Sequence, residues 1–108
     1  MATFDTVWSW LQNNLQSGQI IKNWSVLHGY LGRTTKVVDV CNDYIKVEPP
    51  KAKNIQIVPR EDFEKLWEDW SDYKSCGLPR STFLEKSRFI TYIISILHSY
   101  EKEVAANE

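Results

Sequence analysis

The stretch RFITYIISILHSY, residues 88–100, is the most constraining feature of the sequence, because it leaves little room for a polar face if it is helical. On a helical wheel its large apolar residues, together with Val104, span roughly 200°, about twice the width of an ordinary amphipathic stripe. A narrow polar seam remains, formed by Thr91, Ser95, His98 and Lys102. One neighbouring layer covers only about half of such an arc. The sequence therefore predicts that a helix from about residue 88 to 104 meets structure on more than one side.

Two arrangements would cover this helix. It is either central in its own domain, between the sheet and the other helices, or one of its edges is exposed in the monomer and pairs with a second copy across a two-fold axis. We expect the second arrangement, because five Trp and a net charge of −1 favour association. The sequence then predicts a homodimer whose candidate partner interface is formed by Trp10, Ile90, Ile94 and Leu97.

The N-terminal segment, residues 3–18, has helical spacing of its apolar side chains. Thr3 is a suitable N-cap, because its hydroxyl can accept from an N–H of the first turn. Gly18 is a suitable stop, since glycine commonly ends helices. The apolar stripe consists of Phe4, Val7, Trp8, Leu11 and Leu15.

The middle of the chain is rich in β-branched residues. Residues 35–48 predict a hairpin with Asn42-Asp43 at its turn and with Val38 and Val40 alternating on one arm. Residues 54–58 predict a further short strand, in which Ile55 and Ile57 point the same way. Residues 20–33 fit either a strand with a turn or a short helix, and we favour the strand.

The last part of the chain is helical. One helix opens at residues 60–62 and ends at Gly77, and a shorter one covers residues 78–86 before the final helix. The apolar stripe of the first of these is formed by Phe63, Leu66, Trp67, Trp70 and Tyr73. Because helices and strands are segregated along the chain, we predict one α+β domain over residues 1–108. It has an N-terminal helix, a small antiparallel sheet of three or four strands and C-terminal helices packed on one side.

Length and composition narrow the class of protein. The 108 residues are 43% hydrophobic and 25% charged, which is typical of a soluble globular domain. The N-terminus has no basic leader followed by an apolar run, and no apolar run reaches the roughly 18–20 residues that span a bilayer. We therefore expect a cytoplasmic protein without membrane contact, in which Cys41 and Cys76 are reduced thiols.

Residues with catalytic or metal-binding chemistry are sparse. The two histidines, His28 and His98, have no nucleophile or carboxylate at a spacing typical of a catalytic pair. With two Cys and two His outside metal-pair spacing, a zinc site is not expected. The segment GYLGR lacks the context of a phosphate-binding loop. We predict no catalytic residue, no metal site and no cofactor. An enzymatic function is therefore less favoured than protein binding or nucleic-acid binding.

Nucleic-acid binding is the alternative function. Residues 62–88 can form a helix-turn-helix-like segment whose second helix presents Arg80, Lys86 and Arg88, and Lys51 with Lys53 could add a basic arm. Affinity for nucleic acid comes largely from neutralising phosphates. Residues 61–74 oppose it, because they hold six acidic and two basic side chains.

The segment from Glu61 to Tyr100 resembles one found in small uncharacterised bacterial proteins of mobile elements, including integron cassette products and accessory proteins near restriction systems. The resemblance covers under half the chain and lies in the aromatic spacing Phe63-x-x-x-Trp67 and Trp70-x-x-Tyr73, in Arg80, and in residues 91–93, Thr-Tyr-Ile. It implies a bacterial cytosolic accessory protein and carries no catalytic residue. The sequence as a whole predicts a non-enzymatic binding module that acts through protein–protein contacts.

Overall fold

The protein is an α+β domain in which helices cover one face of an antiparallel sheet, as the sequence predicts. The structure is a computed structural model and describes residues 2–49, 54–75, 81, 85 and 87–106. The four strands follow the order β1-β2-β3-β4, and each pairs with its neighbour along the chain. The elements of this region are α1 Phe4–Asn14, β1 Ile20–Ser25, β2 Gly29–Val40, β3 Tyr44–Glu48, β4 Gln56–Pro59, α2 Arg60–Glu68, α3 Trp70–Lys74 and α4 Ile90–Ala106.

Helix α1 begins as predicted and ends earlier than predicted. The hydroxyl of Thr3 accepts a hydrogen bond from the backbone N–H of Thr6, so the N-cap is confirmed. The helix ends at Asn14 with Leu15 as its C-cap, and Gly18 is therefore not the stop. Gly18 instead has a φ of +89° in the turn that leads to β1, a conformation that suits glycine. The predicted apolar stripe is buried in the core.

The segment 20–33, which fitted either a strand or a helix, begins with strand β1, in agreement with the interpretation that we favoured. In β1 the side chains of Ile21, Asn23 and Ser25 are buried and alternate with more exposed ones. Asn23 is polar, but its Oδ1 accepts from the Thr35 hydroxyl at 2.7 Å within the buried layer. This partner offsets the cost of placing an amide in the core.

The side-chain alternation predicted for β2 was wrong by one residue. The register against β3 shifts between Val37 and Asp39, so Val37 is fully buried while Val38 is only partly buried. Val40 still packs against the core, because the extra residue of a β-bulge moves the next side chain to the other face.

The later strands place only part of their apolar residues in the core. Ile45, Val47 and Val58 are fully buried. Ile55 and Ile57 do share a side, as predicted, but that side faces solvent, with 49% and 52% of their surface exposed. The second face of the sheet is therefore not covered by the described part of the protein.

The single helix predicted from residue 60 onward is two helices, α2 and α3, separated at Asp69. The predicted apolar stripe is nevertheless buried in the same core; it consists of Phe63, Leu66, Trp67, Trp70 and Tyr73. Helix α4 then lies centrally. It contacts β1 and α2, and most of its large apolar side chains are buried.

Candidate functional site

The polar seam of α4 faces the edge of the sheet. Ser95 is fully buried, and its hydroxyl accepts the backbone N–H of Trp24 in β1 at 3.1 Å while donating to the carbonyl of Thr91 at 2.8 Å. An edge strand has a row of unpaired N–H and C=O groups, and here a helix side chain satisfies one of them. The seam is therefore a contact surface between α4 and β1.

Further along the same seam, an aromatic cluster joins α4 to the first hairpin. The His98 ring stacks on Trp24 with centroids 3.9 Å apart and planes within 5°. Tyr30, opposite Trp24 on β2, meets His98 edge-on at 5.6 Å. Burial, and then the nearby charge of Lys102, lower the pKa of His98 from the ordinary value of 6.5. His98, which the sequence places in the polar seam of α4, is thus half-buried against the sheet edge.

The hairpin formed by β1 and β2 projects beyond the rest of the sheet. Strand β2 pairs with β3 only from Lys36 to Val40, whereas its first residues pair with β1 alone. Two hydrogen bonds hold the turn between the strands. The Tyr73 hydroxyl of α3 accepts the N–H of Val26 at 3.1 Å, and the Ser25 hydroxyl accepts the N–H of His28 at 3.1 Å. The hairpin is consequently held in place by α3 and by its own strand.

Large apolar side chains are exposed at the end of this hairpin. Leu27 is 77% exposed, Tyr30 49% and Leu31 38%. Single exposed apolar residues are normal on a protein surface, and these three lie close together in sequence on one projecting element. We call Leu27, Tyr30 and Leu31 the hairpin tip.

The strand edge beside the hairpin tip is not flat. Lys22 pairs with Thr34 and Trp24 pairs with Tyr30, so three residues of β2 lie opposite the one residue between them in β1. Gly32 lies within this bulge with a φ of +77°. Bulges twist an edge strand away from straight pairing. The hairpin tip is therefore better suited to side-chain contacts than to adding a further strand.

The candidate interface predicted on α4 is not exposed. Ile90 and Ile94 are each 2% exposed and Leu97 is fully buried. Trp10 is half-buried, with its ring edge-on to Tyr100 at 5.1 Å. The expectation of an exposed edge was wrong, because α4 packs against β1 and α2, Trp10 of α1 contacts its Tyr100, and the polar seam itself packs against the sheet.

Most residues of the predicted nucleic-acid site lie outside the described part of the chain: Arg80, Lys86, Lys51 and Lys53. Arg88 is described and exposed, and its guanidinium lies over the Phe89 ring at 4.9 Å. Lys36 and Lys46 lie on the open face of the sheet, with Glu48 and Asp39 as their cross-strand neighbours. Exposed acids occupy the helical side: Glu61, Glu64, Glu68 and Asp72.

The described residues contain no group of three or more side chains that could hold a metal ion. Across the same residues, no helix combines the length and apolarity required to cross a membrane.

A pocket of about 300 Å³ lies between the start of β1 and the last turns of α4, beside Tyr30.

Comparison with known proteins gives no matching family model, no matching curated protein and no matching solved structure. The resemblance to proteins of mobile elements therefore stays a prediction. The candidate site rests on the geometry of the first hairpin.

Proposed function

We propose that the protein is a non-enzymatic binding module that acts through protein–protein contacts, as a homodimer joined at the hairpin tip. The observation that carries this proposal is the exposure of Leu27, Tyr30 and Leu31 on one projecting element. Burying apolar surface is the main favourable term in most protein association. The proposed setting is a bacterial cytoplasmic accessory protein, in keeping with the sequence.

A second copy of the chain is the partner to which the proposal commits. A two-fold axis brings the same patch together from both copies, so apolar side chains meet apolar side chains. The net charge of −1 adds little repulsion between copies. Three side chains make a small contact, and small interfaces belong with weak, transient associations. We therefore expect the dimer to dissociate on dilution.

The shape of the hairpin supports a rigid contact. Its turn is held by the Tyr73 hydroxyl, and its strand edge by Ser95. A contact surface that is already ordered loses less conformational entropy on binding than a mobile loop. The hairpin tip is thus suited to association even though its area is modest.

Replacing Leu27 with Glu tests the proposal. The side chain is largely exposed, so the variant should fold, while a charge at the hairpin tip should abolish association. Ile57→Glu is the matched control, because Ile57 is 52% exposed on the opposite edge strand. Light scattering should show a monomer for Leu27→Glu and the wild-type distribution for Ile57→Glu. Equal dimer content in the wild type and Leu27→Glu would remove the hairpin tip from the interface.

Nucleic-acid contact is the second candidate function, and the exposed guanidinium of Arg88 together with the lysines of the open sheet face favours it. The four exposed acids of α2 and α3 oppose it, because they repel phosphates. Titration with duplex and single-stranded DNA at low salt distinguishes the two. Tight binding that disappears in the Arg80→Ala, Arg88→Ala double variant would favour nucleic acid over a protein partner.

A further inference from the structure

The pocket beside Tyr30 combines several hydrogen-bond donors with uncompensated positive charge. It lies between β1 and α4, and Lys22, Tyr30, His98, Ser99, Lys102 and Glu103 are among the residues that line it. Its volume of about 300 Å³ fits a small molecule or a single functional group of a larger one. Only Glu103 among these lining residues carries a negative charge.

Two ammonium groups converge on the ring of Tyr30. The Nζ atom of Lys102 lies 5.3 Å from the ring centroid and 2.8 Å from the phenol oxygen, and the Nζ atom of Lys22 lies 5.8 Å from the same centroid. Within the described residues, the salt bridges are Arg60 with Asp5 and Lys74 with Glu101. Neither pocket lysine is thus neutralised by a carboxylate of that region.

We propose that this pocket binds a phosphoryl group held by Lys22 and Lys102. Lysine binds phosphate as a point charge with three rotatable donors, so two ammonium groups can meet different oxygens of one tetrahedral anion. The hydroxyls of Tyr30 and Ser99 and the ring of His98 supply further donors around the anion. The inference goes beyond the proposed function, because it concerns a ligand pocket that shares only Tyr30 with the hairpin tip and requires no second copy.

The charges around His98 make it a reporter for such an anion. On its own helix it is flanked by Glu101 and Lys102, Lys74 on α3 also acts on it, and Lys22 faces the same pocket from β1. Burial and Lys102 already lower its pKa. A bound phosphoryl dianion favours the protonated ring and should raise that pKa.

An NMR titration of the whole chain tests the proposal, with the ring signals of the two histidines as readout. Inorganic phosphate, O-phospho-L-serine and acetate are added separately at constant ionic strength and pH. We expect saturable shifts of the His98 ring with one or both phosphoryl compounds, and at least about tenfold weaker effects with acetate. The exposed ring of His28 serves as the internal reference. Binding of phosphoserine alone would assign the site to a phosphorylated side chain, and binding of both would assign it to the phosphoryl group itself.

Variants then tie the binding to the two lysines. Lys22→Gln and Lys102→Gln should each weaken binding about tenfold, as expected for loss of a charge-assisted hydrogen bond. Lys36→Gln should leave it unchanged, because Lys36 is exposed on the same sheet outside the pocket lining. The proposal would be overturned if neither phosphoryl compound gave a saturable His98 shift. It would also be overturned if the Lys22→Gln, Lys102→Gln double variant bound phosphate or phosphoserine as tightly as the wild type. Leu27→Glu should still bind the phosphoryl compounds, so the experiments distinguish a loss of dimerisation from a loss of phosphoryl binding.

Discussion

The hydroxyl of Ser95 accepts the backbone N–H of Trp24 at 3.1 Å, and this bond joins the central helix to the edge of the sheet. The Trp24 N–H would otherwise lack this partner at the sheet edge, which costs free energy, whereas the Ser95 hydroxyl also donates to the carbonyl of Thr91. The contact orients the first hairpin relative to the helices, and the hairpin in turn positions the exposed tip and the phosphoryl pocket.

Replacing Ser95 with Ala should therefore lower the free energy of unfolding by about 1–3 kcal/mol, the cost of leaving a buried donor unsatisfied. Chemical denaturation measures the loss. Ser9→Ala in α1 is the control, because Ser9 is exposed and its removal should change stability little. Hydrogen exchange at the Trp24 amide should accelerate in Ser95→Ala; an amide that stays equally protected would show that the bond is not needed.

Trp67→Ala should cost about 3–5 kcal/mol, the usual range for truncating a buried aromatic side chain. Trp67 is only 6% exposed, and its Nε1 also donates to the carbonyl of Ala2 at 3.2 Å. Trp10→Ala provides a comparison, because Trp10 also contacts Tyr100 but is only half-buried, and we expect a smaller loss. Thermal melts measure both. Equal melting temperatures for Trp67→Ala and the wild type would contradict a core position.

The ion pairs Lys74–Glu101 and Arg60–Asp5 should contribute unequally. Glu101 accepts the Nε1–H of the fully buried Trp70 at 2.7 Å and also pairs with Lys74 at 2.7 Å. Asp5 pairs with Arg60 at 2.6 Å but is 84% exposed. We expect Glu101→Ala to cost about 1–3 kcal/mol, since the indole donor loses its partner, and Asp5→Ala to cost less than about 1 kcal/mol. Urea denaturation of both variants should give this order; the reverse order would contradict it.

Stability should fall as the pH drops through the titration of His98. Its pKa is lowered in the folded state, chiefly by burial, so the folded protein binds fewer protons than the unfolded chain just below pH 6.5. The stability due to the neutral ring is complete above that value and is lost as the pH falls toward the folded pKa. His98→Phe keeps a ring against Trp24 and removes the titration. As the pH is lowered from about 7.5 to about 5.5, the free energy of unfolding should fall more in the wild type than in His98→Phe. An equal fall in both proteins would contradict the assignment.

The elements predicted from local patterns were largely found. Thr3 caps α1, and the turn at Asn42-Asp43 joins two strands, because capping and turn chemistry depend on neighbouring residues. The predicted facing of the Val38 side chain was wrong, because a bulge depends on pairing with another strand. Local patterns alone do not reveal such a register shift.

The candidate site was harder to predict. Ser95 and His98 were assigned to a polar seam, but nothing in their spacing reveals that the seam meets the edge of β1. The exposure of Leu27 and Leu31 was missed because residues 20–33 allowed both strand and helix. Burial alternates along β1, but apolar and polar residues do not, since Asn23 and Ser25 are buried while Ile20 is exposed. Gly29, which has a φ of +68°, was the local signal for a turn.

Sedimentation of the wild-type protein over a wide concentration range tests the central claim most directly. A homodimer joined at the hairpin tip should approach twice the chain mass of 12.7 kDa at high concentration and return to the monomer on dilution. Leu27→Glu should remain at 12.7 kDa throughout. A wild type that sediments as a monomer up to about 1 mM, beyond the range of even weak specific interfaces, would contradict the account.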